Sequence, residues 1–187
     1  MGDRMKPHQL WLISGAVTLV SVLSPRSLQA QTLPAPPPLE GLVHSFNLDQ
    51  PEATAYSLWN VGQSQRHEVW FRVLGGDADY RQRLRVYKEQ APPREPDTLP
   101  PPSELVYEQA DNIASEWVFL GTEDSFFTYY FDGDNRPNDS SSWGHAEAVR
   151  VSKTIYTNGD LYEISFEDLN TLDDYNDLEI EVLLVRR

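Results

Sequence analysis

Apolar and polar side chains alternate along most of the chain after residue 41, and this pattern limits the folds that the chain can adopt. Successive side chains of a β-strand point to opposite faces, so a two-residue period buries one set of side chains. Residues 67–74 show the period clearly, with Val69, Phe71 and Val73 on one face. The pattern predicts an all-β, antiparallel β-sandwich, jelly-roll or immunoglobulin-like, of about eight to ten strands.

Turn residues predict how some of these strands connect. Gly75-Gly76 lies between residues 67–74 and residues 82–88, and we expect these two strands to form a hairpin. Asn158-Gly159 is typical of a two-residue hairpin turn. This turn predicts a three-stranded meander near the C-terminus, formed by residues 146–156, 160–166 and 178–185.

The last two strands of the meander flank a loop that is crowded with carboxylates. Two carboxylates about 4 Å apart repel by roughly 1 kcal/mol in water and by about 4 kcal/mol near a protein surface. Ca²⁺ accepts about six to eight oxygen ligands in flexible geometry, and it would convert this repulsion into attraction. The candidate ligands are Glu167, Asp168, Asp173, Asp174, Asn176 and Asp177.

A solvated acidic turn is the alternative interpretation of these residues, because Asp and Asn are common in turns. Glu167 and Asp168 are also neighbours at the end of an expected strand, where they would point to opposite faces. A second polar loop is expected at residues 132–142. Either Asp132 or Asp134 completes the site near Asp174, or this second loop is an ordinary one.

The C-terminal region, from about residue 115 to 185, resembles a known family. Phe166-Glu167-Asp168-Leu169, Asp174-Tyr175-Asn176-Asp177-Leu178 and Trp143-Gly144-His145 are similar to blocks of the bacterial exported domain of unknown function 4114. The Gly-rich turn of that family is replaced by Asn170-Thr171-Leu172, and the loop is shorter. The resemblance implies an exported β-sandwich that binds Ca²⁺ and has no assigned activity.

Residues 1–30 have the pattern of an export signal. Arg4 and Lys6 precede an apolar run from Leu10 to Leu23, which is too short for a comfortable membrane span. Ala30 is a small residue suited to cleavage, and an uncleaved N-terminal anchor is the alternative. The mature protein is therefore expected to be secreted or periplasmic.

The remaining sequence divides into a Pro-rich spacer, residues 31–40, and one β-sandwich domain, residues 41–187. Removal of residues 1–30 takes away three basic residues and one acid, which leaves 12 basic and 28 acidic residues and a net charge of −16. Such a surface repels nucleic acid and anionic lipid. The chain has no cysteine, which excludes disulfides, thiolate metal sites and cysteine nucleophiles.

Catalytic motifs such as the Gly-x-Ser-x-Gly elbow, the P-loop and His-Glu-x-x-His do not occur in the sequence, and we expect a non-catalytic protein. His145 is expected to form a structural hydrogen bond. One function hypothesis is a Ca²⁺-stabilised module for surface, matrix or envelope interactions with an extracellular protein or glycan. The other is a carbohydrate-binding module that uses the aromatic side chains of residues 126–131 or exposed tryptophans. Burial of those aromatic rings would favour the first hypothesis, and a flat exposed row would favour the second.

Overall fold

β-strands form nearly all of the regular structure in the part of the chain that the computed structural model describes. That part comprises residues 35–51, 55–60, 65–90, 98–124, 126–138, 140–168 and 174–187, with the backbone alone for residues 49–51 and 60. All of these residues belong to one unit, Gln31–Arg187.

The described residues contain eleven strands and one short 3-10 helix, Pro102–Glu104. The two-residue period of apolar side chains explains why strands dominate. In chain order the strands are β1 (Leu42–Pro51), β2 (Ala55–Asn60), β3 (His67–Gly75), β4 (Arg81–Lys88), β5 (Leu105–Ala110), β6 (Val118–Glu123), β7 (Phe127–Arg136), β8 (Gly144–His145), β9 (Ala148–Tyr156), β10 (Gly159–Glu167) and β11 (Leu178–Arg186).

The strands form two sheets, and all of their pairings are antiparallel among the described residues. The larger sheet has the order β1-β9-β10-β11-β3-β6, and the smaller has the order β2-β7-β4-β5, with the two-residue β8 paired to β7. The predicted all-β sandwich is confirmed. No helix in the described part of the chain is long and apolar enough to cross a membrane.

The hydrophobic core lies between the sheets and follows the alternation of the sequence. Its largest fully buried side chains include Phe71 on β3, Tyr129 and Phe131 on β7, and Ile180 on β11. Burying one Val, Leu, Ile or Phe side chain contributes about 1.5–3 kcal/mol. The core-facing apolar side chains, at every second residue of these strands, therefore stabilise the packing of the two sheets.

The C-terminal meander is confirmed, and its turn is shifted by one residue. β9, β10 and β11 are neighbours in the larger sheet, in that order. β10 begins at Gly159, which pairs with Tyr156, so Thr157 and Asn158 form the turn. The side chain of Asn158 also bonds the backbone of residues 38 and 40, so the end of the predicted spacer is attached to this turn.

The predicted hairpin of residues 67–74 and 82–88 is wrong. β3 lies in the larger sheet between β11 and β6, and β4 lies in the smaller sheet between β7 and β5. Both edges of β3 are thus occupied by strands that are distant in sequence, so the Gly75-Gly76 segment carries the chain across to the other sheet. The backbone N–H of Asp77, just after this segment, donates a hydrogen bond to the carbonyl of Asn176 at 2.8 Å.

Candidate metal centre

Three buried carboxylates meet where β10 ends and β11 begins. Glu167 is the last residue of β10, Asp168 follows it, and Asp177 directly precedes β11. Phe166 pairs with Leu178, so the residues just beyond this pair are close in space. One oxygen from each of the three carboxylates lies within 4.8 Å of the others, and the three residues are only 3, 4 and 6% exposed.

The pKa of Asp177 is raised to about 7, and burial is the largest cause. The backbone N–H of Asp168 donates to Asp177 Oδ2 at 2.6 Å and opposes the rise, while a side-chain hydrogen bond with Glu167 and the charges of Glu167 and Asp168 reinforce it. Charged carboxylates are disfavoured in such a place unless a proton or a cation joins them.

The two carboxylate oxygens of Asp168 differ in their hydrogen bonding. Its Oδ2 accepts a hydrogen bond from Nε2 of Gln82 on β4 at 2.7 Å. Its Oδ1 is buried and has no hydrogen-bond partner among the described residues. Burial also raises the pKa of this carboxyl, although hydrogen bonds from the Gln82 amide and from the Tyr80 backbone act in the opposite direction. An unpaired oxygen of a buried carboxylate is costly, so this oxygen can accept a further partner.

The backbone of the acidic loop adopts an unusual conformation at Tyr175, whose φ is +55°. A positive φ is rare for a large aromatic residue. In this conformation the backbone N–H of Tyr175 donates to Glu167 Oε2 at 3.2 Å. The Tyr175 ring is buried and lies 4.0 Å from the guanidinium carbon of Arg150. The backbone at Tyr175 is thus held in a strained form that directs its N–H at a carboxylate.

The connection between the two sheets holds the other side of the loop. Asn112 Nδ2 donates to the carbonyl oxygen of Gly76 at 2.9 Å and to that of Asp177 at 3.3 Å. Gly76 lies so close to Asp177 that a Cβ on Gly76 would collide with the Asp177 carbonyl. Glycine is therefore required at residue 76 for this approach.

The structure brings together three of the six predicted ligands, Glu167, Asp168 and Asp177. Asp174 is exposed and lies outside this close group. Asn176 is partly buried, and its Oδ1 has no hydrogen-bond partner within the described ranges. The prediction for Asp173 falls outside the described residues.

The expectation that Glu167 and Asp168 point to opposite faces is wrong, because their carboxylate oxygens lie in one group. The strand ends at Glu167, so the alternation of side chains does not extend to Asp168. Gln82 was missed as a member of the site, since it lies on a strand of the other sheet.

A second group of close side chains consists of Asp132, Asp134 and His145. The predicted loop at residues 132–142 is wrong for its first part, because residues 132–136 continue β7. The structure groups Asp132 and Asp134 with His145 instead of with Asp174. The alternation from Phe131 onward, which places Asp132 and Asp134 on one face, was the signal that could have revealed this.

The aromatic side chains of residues 126–131 are mostly buried. Phe127, Tyr129 and Phe131 are 3, 0 and 0% exposed, whereas Phe126 is 49% exposed. These side chains therefore do not form the flat exposed row of aromatic rings that would favour carbohydrate binding.

Comparisons of the chain with protein-family models, curated proteins and solved structures found no match. The resemblance to the domain of unknown function 4114 stays a prediction based on the sequence blocks.

Proposed function

We propose that the protein is an exported, non-catalytic β-sandwich module that binds Ca²⁺ at Glu167, Asp168 and Asp177. The observation that carries the proposal is the buried Oδ1 of Asp168, which has no hydrogen-bond partner among the described residues. Two other buried carboxylates lie close to it, and neither can donate a hydrogen bond to it when ionised. A divalent cation would supply the missing partner for this oxygen and would offset the repulsion among all three carboxylates.

The chemistry of the donors favours Ca²⁺. All three close side chains offer hard oxygen atoms, and Asn176 adds a buried amide oxygen without a hydrogen-bond partner in the described ranges. Ca²⁺ tolerates about six to eight oxygens in irregular geometry, whereas Mg²⁺ needs a near-ideal octahedron. The proposed ligand set is therefore Glu167, Asp168, Asp177 and Asn176.

The position of the group gives the ion a structural role. Glu167 and Asp168 lie at the end of β10, and Asp177 lies at the start of β11. An ion bound to all three would hold the 167–177 loop in place and fix β11 against its neighbour. The export signal predicted for residues 1–30 would bring the domain to a compartment where Ca²⁺ concentrations suit sites of about millimolar affinity.

In this proposal the module contacts an extracellular protein or glycan at a surface, matrix or envelope. A carbohydrate-binding module is the second candidate, and two exposed aromatic side chains favour it. Trp59 on β2 is 58% exposed and pairs with Thr128, two residues from Phe126, which is 49% exposed. Phe126 directly precedes β7, the strand that pairs with β2.

Thermal unfolding in millimolar Ca²⁺, in millimolar Mg²⁺ and in chelator tests the ion site. Ca²⁺ should raise the melting temperature progressively with concentration, since a ligand at 100 times its Kd stabilises the native state by about 2.7 kcal/mol. Asp177→Asn retains an oxygen that can accept the hydrogen bond of the Asp168 N–H but loses the charge. In chelator at pH 5, where Asp177 is protonated, this variant should melt as the wild type does. It should lose most of the response to Ca²⁺.

Asp124→Asn is the matched control, because Asp124 is an exposed acid that pairs with Arg66. Its response to Ca²⁺ should equal that of the wild type. Identical melting curves of the wild type in all three conditions would overturn the Ca²⁺ proposal and direct attention to glycans at Trp59 and Phe126. An equal loss of stability in Asp177→Asn with Ca²⁺ and with chelator would make Asp177 a turn residue only.

A further inference from the structure

The second group of close side chains lies on the outer face of the smaller sheet. Phe131 and Gly133 face the core, where Gly133 lies against the ring of Phe166. Asp132 and Asp134, which alternate with them, therefore face outward. His145 on β8 pairs directly with Asp134, so its side chain lies on the same face.

The three donor atoms lie within 4.8 Å of one another, close to the spacing of metal ligands. Nδ1 of His145 lies 3.3 Å from Oδ1 of Asp134 and 3.9 Å from Oδ1 of Asp132. Zn²⁺ binds nitrogen and oxygen donors at about 2.0–2.2 Å, so neighbouring donors around a tetrahedral ion are about 3.4 Å apart. Small side-chain movements would bring all three atoms onto one ion.

Two arginines of β4 hold the carboxylates in this orientation. Nη2 of Arg85 lies 2.6 Å from Oδ2 of Asp132, and Nη2 of Arg83 lies 2.6 Å from Oδ2 of Asp134. Arg85 also donates to Oδ1 of Asp134 at 2.9 Å. The arginines thus fix both carboxylates and leave Oδ1 of Asp132 without a hydrogen bond from the described residues, as groups that orient metal ligands do.

Asp132 provides an independent sign of a missing ligand. Its side chain is 0% exposed, and its Oδ1 has no hydrogen-bond partner in the part of the chain that the structure describes. The nitrogen of His145, at 3.9 Å, is beyond hydrogen-bond reach. A cation between Asp132 and His145 would satisfy this oxygen.

We propose that Asp132, Asp134 and His145 form a second metal site, which binds a divalent transition ion of the Zn²⁺ type. The imidazole nitrogen favours such ions over Ca²⁺ and Mg²⁺, which prefer oxygen ligands. The side chain of His145 is 59% exposed, so the remaining coordination position faces solvent and can hold water or a small anionic ligand. This site differs from the Ca²⁺ site in its position in the fold and in the class of its ion.

Binding of Co²⁺ and Zn²⁺ to the purified protein, after treatment with chelator, tests this site. Co²⁺ should produce visible absorption that saturates at one ion per chain, and Zn²⁺ should abolish it by displacement. His145→Ala should weaken binding at least about tenfold, the smallest loss expected when even a group that orients a ligand is removed. Calorimetry with Zn²⁺ gives the same comparison without a spectroscopic probe.

His44→Ala is the matched control, because His44 is exposed on β1 and stacks on Phe46, away from this sheet. It should bind Zn²⁺ as the wild type does. Asp177→Asn should also bind Zn²⁺ normally, which separates this site from the Ca²⁺ proposal. The absence of binding by the wild type would overturn the second site, and so would equal affinities in His145→Ala and the wild type. Since His145 is exposed, its variant should melt near the wild-type temperature in chelator.

Discussion

Two groups of buried carboxylates in this sandwich differ in what offsets their charge. Asp132 and Asp134 lie within β7 and contact the arginines of β4. Glu167, Asp168 and Asp177 lie at the ends of β10 and β11. The pKa shifts of Asp168 and Asp177 come from burial, from neighbouring acids and from neutral hydrogen-bond donors.

The difference follows from the geometry of a sheet. Within an antiparallel pair, each residue has a partner directly opposite, with Cβ atoms about 4.5–5.5 Å apart. Arg85 is opposite Asp132 and Arg83 is opposite Asp134, so each acid has a base at a fixed position. Beyond the end of a strand this pairing stops. Acids placed there need a proton, a neutral donor or an external cation.

The largest effect is expected from breaking the arginine pairing. Arg85→Met leaves Asp132 buried without its basic partner, and the loss of one partner of a buried ion pair destabilises by about 3–5 kcal/mol. Urea unfolding at pH 7 in chelator would measure this loss. Arg66→Met is the control, because the Arg66–Asp124 pair is 59 and 68% exposed, and exposed ion pairs contribute little to stability. Equal losses in the two variants would contradict the comparison.

The pH dependence of stability should distinguish the group at the strand ends. The pKa of Asp177 rises from 3.8 to about 7 on folding, so the folded chain holds this proton more tightly than the unfolded chain. The stability gained in this way is fully present below about pH 4 and is lost as the pH rises through about 7. In chelator, the wild type should therefore lose more stability between pH 5 and pH 8 than Asp177→Asn.

Parallel pH profiles of these two proteins would show that Asp177 titrates normally. Ca²⁺ should restore most of the stability that the wild type loses between pH 5 and pH 8, since the ion then takes the place of the proton.

The smallest effect concerns the connection that supports the acidic loop. Gly76→Ala introduces a Cβ that collides with the backbone of Asp177 and should destabilise by about 1–3 kcal/mol. The variant should also reduce the stabilisation by Ca²⁺. Gly144→Ala is the control, since its Cβ would meet Asn135 at an ordinary 3.5 Å. A full Ca²⁺ response in Gly76→Ala would mean that the connection does not position the ligands.

The sequence predicted the sandwich and the meander because both depend on local patterns. Alternation within β9, β10 and β11 and the turn near Asn158 are visible in short stretches. The membership of β3 and β4 in different sheets was not predictable in this way. It is set by the pairing of β3 with β11 and β6, which are distant in the chain.

The candidate sites show the same limit. The acidic loop was found from its composition, because its ligands are close in sequence. Gln82, which contacts Asp168, comes from another sheet and leaves no local signal. The group of Asp132, Asp134 and His145 was not predicted, because residues 132–142 were interpreted as a loop. Strand β7 in fact extends through Asp132 and Asp134.

The pairing of β11 with both β10 and β3 also sets an order of events during synthesis. β3 emerges early and must wait for β11, which follows every other strand in this sequence. Contacts between such distant segments form slowly, because a long intervening chain must first be ordered. The carboxylates at the end of β10 meet Asp177 only when β11 docks. In the proposed Ca²⁺ site, ion binding therefore requires the docking of β11, and a variant that lacked β11 would present only part of this group of carboxylates.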